Sequence, residues 1–477
     1  MEQLNILSQS SAVLLLSSLC AVFVFLGIVY SKKYKGLNNY LVANRSIDTF
    51  SLTTTLVSSA LGAWILFGPA SAATWGGIGA VIGYALGTAF PLFILIYLGE
   101  KFRNKFPKGR TLIEVIRLRF GQKLFKLILL LSIFYMTIFL IAEVTAVSLL
   151  INYISGTSLW ITAFIIIVSS LIYTLYGGLR ASIFTDNIQF IVFILLLIIS
   201  FSFLLSFNSN QFTFEFIKQN RPFLLSSKYF PNFTAGLTFF IAVAATNLFH
   251  QGNWQRVYAA KDNKVLKKSL IISFLIIIPI VFFMGFTGLI ATSSNENIIP
   301  DLAFFTLLLK ENTISLSIII IILAISLTVS SIDTLINAIS SLIVVDGNKI
   351  IKNQKDYLLF SKQIIILLSV IAFFVASKGL SILYLFLLAD LFCCAAVLSV
   401  FYGFYSKSFN EDNAKIAIII GLVVGLLLFP SPDFSKSILV GFIFPIEFFP
   451  AFVSQSLLFL SFLVATLVPI SVWRLKP

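Results

Sequence analysis

The sequence predicts an all-α membrane protein of about thirteen transmembrane helices. Three observations predict it. Of 477 residues, 59% are hydrophobic and 11% charged, where a soluble domain is about 45–50% apolar and about 25% charged. The apolar residues gather into stretches of about 20, the length a helix needs to cross the hydrocarbon core. The basic residues collect in alternate loops, as cytoplasmic Lys and Arg do. This composition excludes a water-soluble enzyme. It also removes the need to read the +14 net charge as a nucleic-acid footprint.

The first span, 10–30, has no basic residue before it and no small-x-small cleavage pattern. It reads as a retained helix with an outside N-terminus, not a signal peptide. Five spans follow at 48–68, 77–98, 124–153, 158–176 and 183–207. Five more lie at 234–255, 269–292, 313–345, 363–377 and 380–405, and two close the chain at 414–429 and 452–473. The stretches 297–310 and 437–449 are apolar but short, so they read as interfacial or re-entrant pieces. Thirteen crossings from an outside N-terminus put the C-terminus inside. The inside segments are then 31–48, 99–126, 177–190, 253–268, 346–362, 406–415 and 474–477, carrying 27 of the 33 Lys and Arg. Outside are Lys218, Arg221, Lys228, Lys310, Lys378 and Lys436. The reverse topology would put the 27 outside, against the positive-inside rule.

The chain reads as one transmembrane domain, 1–477. It comprises an extra N-terminal helix and loop (10–46), two five-helix blocks (47–207 and 234–405) and C-terminal flanking helices (406–477). Three cysteines in apolar stretches, Cys20, Cys393 and Cys394, and a lone histidine, His250, exclude a disulfide framework and a multi-His metal centre. Spans 2 and 7, each opening a five-helix block, are rich in small and polar residues: SSALGAWILFG in one, ATNLFHQGNWQR in the other. Span 9 carries SLTVSSIDTLINAISS. Such residues permit close helix packing. They also suit broken helices whose freed carbonyls line a site, and interrupted spans at matching places in two halves point to an inverted-repeat transporter.

Four segments in order resemble the sodium:solute symporter family, relatives of the proline, sugar, choline and urea symporters. They are Leu41-Val-Ala-Asn-Arg-Ser46; the string from Tyr173 to Gln189, YTLYGGLRASIFTDNIQ; Trp254-Gln-Arg256 followed by Ala259-Ala-Lys261; and Ser330-Ser331 with Asp346. The likeness runs from about Leu41 to Asp346 and on to Tyr405. It implies the fold of the bacterial leucine transporter, with ten core helices in two inverted repeats. It also implies one Na+ between spans 2 and 9, as a co-transported ion and not a tightly held cofactor. By position, the ligands are the carbonyls of Ser58, Leu61 and Leu327 and the hydroxyls of Ser330 and Ser331. Asp186 matches an aspartate that joins a second sodium site in some relatives; the alternative is a helix-end acid paired with Arg180. The proline symporter has an aspartate where this chain has Ala60, fifteen residues after Arg45, which argues against proline.

Substrate belongs near the midplane, against the breaks in spans 2 and 7. The candidates are Ser59, Ala60 and Trp64 on span 2, and Asn247, His250 and Gln251 on span 7, with Trp254 beside them. A neutral, hydrogen-bonded histidine is the plainer reading of His250. Intramembrane carboxylates are costly and so invite function. Glu143 and Asp390 are candidate substrate contacts, whereas Asp333 lies about 200° from Ser331 around the helix, which suggests a structural pairing. This acid-rich set suits an amine, amide, urea or amino acid. The reading is a sodium-coupled symporter importing a small polar solute by alternating access, multi-pass in a plasma membrane and specifically a bacterial inner membrane. Its partners are the solute, sodium and the lipid bilayer, with no nucleic acid and no obligatory protein partner. The alternatives are a proton-coupled transporter of the same fold, a transporter-like membrane sensor, or a membrane-embedded enzyme, for which the sequence shows no catalytic constellation.

Overall fold

The computed structural model describes residues 3–207, 210–295, 297–310, 313–351, 354, 356–406 and 411–474. Of the basic residues counted for topology, Lys352, Lys355, Lys407 and Lys476 lie outside this set. The regular elements among the described residues are all helices, with isolated β-bridges besides. The helices are α1 (Gln9–Ser31), α2 (Leu37–Val42), α3 (Thr49–Ala60), α4 (Gly68–Lys105), α5 (Leu112–Phe120), α6 (Gln122–Ser155), α7 (Leu159–Phe207), α8 (Phe214–Asn220) and α9 (Phe230–Phe249). There follow α10 (Gln251–Ala259), α11 (Asn263–Ser294), α12 (Ala303–Leu308), α13 (Ile314–Ser341), α14 (Tyr357–Ala376), α15 (Ile382–Phe401), α16 (Glu411–Leu428), α17 (Ala451–Gln455) and α18 (Leu457–Arg474). Among the described residues, nine helices are long and apolar enough to cross a membrane.

Helix starts follow side-chain chemistry. Asp48, Thr111 and Asp262 cap α3, α5 and α11 by accepting the N–H groups of Ser51, Glu114 and Val265 at 2.8, 3.0 and 2.8 Å. These caps satisfy donors that the first turn leaves free.

Span 2 is broken. Helix α3 stops at Ala60, Leu61 and Gly62 are non-helical, and the turn Ala63–Leu66 leads into α4. Gly62 leaves room there: a Cβ would run into the Glu143 carboxylate and the Ser331 hydroxyl and displace them. The helical course then continues to Gly76, beyond the sequence boundary at 68. The break uses up helical length that the crossing must recover.

At Gly77 (φ 57°, ψ −156°) the chain folds back, so that Trp64 stacks on Tyr84 with ring centroids 5.7 Å apart. Gly178 repeats the device inside α7 (φ 61°, ψ −155°). The inside segment 177–190 is therefore helical, not a loop. These dihedrals are accessible essentially to glycine alone. Span 7 breaks at His250 (φ −59°, ψ 108°), between α9 and α10.

Helices α3, α6, α10 and α13 form the interior, while α1 and α14 turn Leu14, Phe25, Leu367 and Phe374 outward. The short stretch 297–310 tucks inward as α12, with Phe304 and Phe305 buried and the Phe305 ring 4.9 Å from Phe67. The stretch 437–449 is largely exposed and ends in the turn Ile446–Phe448.

Candidate functional site: a cavity between two broken helices

A cavity of about 50 Å³ lies where the two breaks meet α6, α13 and α15. Ser59, Ala60 and Trp64 line it from span 2, Asn247 and His250 from span 7, Glu143 from α6 and Asp390 from α15. Ser331, assigned above to the ion, also lines it. Gln251 does not. Its side chain points away, accepting the Leu112 N–H and donating to the Arg110 carbonyl and the Ser341 hydroxyl, each at 3.2 Å. The reason is helical geometry: one residue past His250 the α10 helix has already turned by about 100°. Trp254 is also elsewhere, fully buried and stacked on Phe102 at 5.3 Å.

The acids are anchored differently. Glu143 Oε2 accepts the Ala63 N–H at 2.8 Å, so this carboxylate caps the restart of the broken helix. Asp390 Oδ1 accepts the Thr246 hydroxyl at 2.7 Å. His250 is buried and its Nδ1 has no hydrogen-bond partner, which differs from the satisfied histidine considered above. Trp64, Tyr84, Phe139 and Phe386 supply aromatic walls. The last three escaped the sequence reading, because an aromatic residue on an apolar helix carries no sign of which face it occupies. No Lys or Arg is among the lining residues.

The ion candidates converge between α3 and α13. The Ser330 hydroxyl donates to Asp186 Oδ1 at 2.6 Å, and Ser331 donates to the Leu327 carbonyl at 3.1 Å. Ser58, on the last turn of α3, donates to the Asp186 carbonyl at 3.3 Å, and Leu61 sits at the break itself. Asp186 is fully buried and pairs with Arg256 at 3.0 Å. The pairing with Arg180 considered above is not formed, because Arg180 donates instead to the Ala43 carbonyl (3.0 Å) and the Ser46 hydroxyl (2.6 Å). Arg256, counted above as a loop charge, is fully buried on α10. Its signal was available: a lone arginine in the otherwise uncharged run from Phe249 to Ala260. Asp333 accepts from Tyr173 and Ser182, each at 2.8 Å, and from Thr185 at 3.3 Å, away from the cavity.

Two broken helices meet at a polar cavity inside a bundle with several membrane-length apolar helices, the architecture of a multi-pass membrane transporter. The profile of the Sodium:solute symporter family matches residues 40–421, and the chain belongs to that family. A spermidine transporter of Candida albicans is 26% identical, covering 83% of this chain and 77% of that protein. A sodium/pantothenate symporter of Haemophilus influenzae is 28% identical, covering 84% and 86%. A urea-proton symporter of rice is 25% identical over 40% of this chain, but only 27% of the rice protein is matched. These fungal, plant and bacterial sources do not favour a bacterial origin for this chain. Among solved structures, a substrate-bound, outward-open Na+-coupled sialic acid symporter superposes with TM-score 0.73 at 17% identity, covering 99% of both chains. Mhp1, a nucleobase-cation-symport-1 transporter, gives 0.57 at 14% identity over 91% and 94%. The fold is thus the leucine-transporter type, and the chain is a symporter-family transporter, not an enzyme.

Proposed function

We propose that this protein imports a small amine or other hydrogen-bond-donating solute together with sodium. The observation that carries the solute class is the cavity's lining: the acids Glu143 and Asp390 face it, with no Lys or Arg among the lining residues. In a low-dielectric site, such carboxylates favour a cation or a strong donor and penalise an anion. The similarity to a spermidine transporter over most of both chains supports the same class. The aromatic walls add cation–π faces.

Sodium would take the carbonyls of Ser58, Leu61 and Leu327 and the hydroxyls of Ser330 and Ser331, oxygens that a hard cation prefers. Ser331 also lines the solute cavity, so the two sites share a side chain. The blocks 47–207 and 234–405 would be the inverted repeats, broken at Leu61-Gly62 and at His250. Thirteen crossings, with the N-terminus outside and the C-terminus inside a plasma membrane, complete the reading.

Proton coupling is the second reading, favoured by His250, whose Nδ1 lacks a partner and which lines the same cavity as Glu143 and Asp390. Uptake of a panel of amines, amides and urea into proteoliposomes separates the two. A sodium gradient should drive uptake, and Ser330→Ala plus Ser331→Ala should abolish sodium stimulation. Uptake that follows a pH gradient and ignores sodium would overturn the sodium reading.

A further inference from the structure

The protein holds a buried ion pair whose two residues are not among those that line the solute cavity. Arg256 on α10 and Asp186 on α7 are each fully buried, with Nη2 and Oδ2 3.0 Å apart. Each guanidinium nitrogen has a partner. Nε donates to Thr55 Oγ1 at 2.8 Å, Nη1 to the Gly252 carbonyl at 3.1 Å, and Nη2 also to Thr334 Oγ1 at 2.8 Å. Asp186 is equally committed: Oδ2 also accepts from Thr55, and Oδ1 accepts from Ser330 at 2.6 Å. The cluster joins the inner half of span 2, α7, the inner half of span 7 and α13.

We propose that Arg256 is a built-in cation that occupies the place a second sodium ion would take at Asp186, so that each chain binds one sodium. This rests on the sodium-coupled reading above. Arginine remains protonated in proteins, so its charge cannot be withdrawn to make room. A sodium ion at Asp186 would set a second positive charge against one already neutralised carboxylate, where little water screens the repulsion. The nearby acid Asp333 does not restore the balance toward such a site. It faces Tyr173, Ser182 and Thr185, whose hydroxyls occupy its oxygens.

Ser330 links the cluster to the first sodium site. Its proton is directed at Asp186, which turns its lone pairs toward a cation between α3 and α13. Arg256 is thus a positioning residue: it holds Asp186, and Asp186 holds Ser330.

The test counts sodium on the purified full-length chain by saturation binding of ²²Na+ alone. The wild type should bind one ion per chain with a Hill coefficient near one, and Arg256→Lys should do the same. Arg256→Gln should bind two, because Asp186 is released. The neutral pair Asp186→Asn/Arg256→Gln should return to one, and it remains informative if Arg256→Gln does not fold. Two ions on the wild type, one ion on folded Arg256→Gln, or two on the neutral pair would overturn the proposal. No saturable sodium binding on the wild type would overturn the sodium reading itself, and this proposal with it.

Discussion

At the centre of the protein the Glu143 carboxylate accepts the Ala63 N–H, a donor left without an intrahelical partner by the break at Gly62. The same side chain lines the cavity, so its charge and its acceptor oxygen can be separated by mutation. Glu143→Gln keeps an acceptor and should assemble normally. It should raise the apparent KM for an amine roughly tenfold or more, the scale on which a charge-assisted hydrogen bond exceeds a neutral one. Glu143→Ala leaves the Ala63 donor buried and unpaired, a loss of about 1–3 kcal/mol, and should also lower the unfolding temperature in detergent. Normal amine KM in both variants would remove Glu143 from the solute site. At this scale the sequence pointed to most of the cavity. An acid or histidine inside a membrane span is conspicuous, because burial without a purpose is expensive. Gln251 was misplaced because its neighbour His250 marks the break. Only the backbone direction beyond a break determines which of two adjacent polar side chains faces the cavity.

Between elements, two glycines and the acid Asp301 govern how helices join. Gly77 and Gly178 hold nearly the same left-handed dihedrals. A Cβ would meet Asn232 and the Leu224 carbonyl at the first, and Tyr40 at the second. Gly77→Ala and Gly178→Ala should each cost about 1–3 kcal/mol in backbone strain alone. Thermal unfolding and folded yield measure this; an unchanged transition would show that the reversals relax freely.

Asp301, just before α12, accepts from Ser71 of α4 at 2.9 Å, from Ser381 at 3.3 Å and from the Ile382 N–H at the start of α15 at 3.4 Å. It ties the inward-tucked segment to two core helices. Burial raises its carboxyl above the usual value, against the lowering effect of these hydrogen bonds. A group whose proton is held more tightly in the folded arrangement stabilises that arrangement at low pH. That stabilisation is lost as pH rises through the raised value. The anchoring of the 297–310 segment should therefore weaken as pH climbs out of the ordinary carboxyl range. Asp301→Asn should flatten this part of the profile of unfolding temperature against pH; an identical slope in wild type and variant would exclude Asp301 as its source.

Over the whole molecule, the basic loops predict which face meets the cytoplasm. The native cysteines Cys20, Cys393 and Cys394 are all buried, so single introduced cysteines can report topology against a quiet background. A membrane-impermeant maleimide added outside intact cells should label Ser435→Cys and should miss Lys264→Cys; the opposite pattern would invert the assignment. Membrane class, the order of apolar stretches and the side favoured by each basic loop are legible in the chain alone. They depend on composition and spacing, which lipid and translocation read segment by segment. Tertiary packing alone decided that Arg256 pairs with Asp186, that Glu143 caps a helix restart, and that Ser331 lines the cavity while donating to the Leu327 carbonyl. Those choices bring together residues 70 to 188 positions apart, such as Glu143 with Ala63 and Ser331, or Arg256 with Asp186. No local periodicity encodes which buried charge will meet which. Only when helices close on one another does the cost of an unpaired charge in a dry interior select the partner.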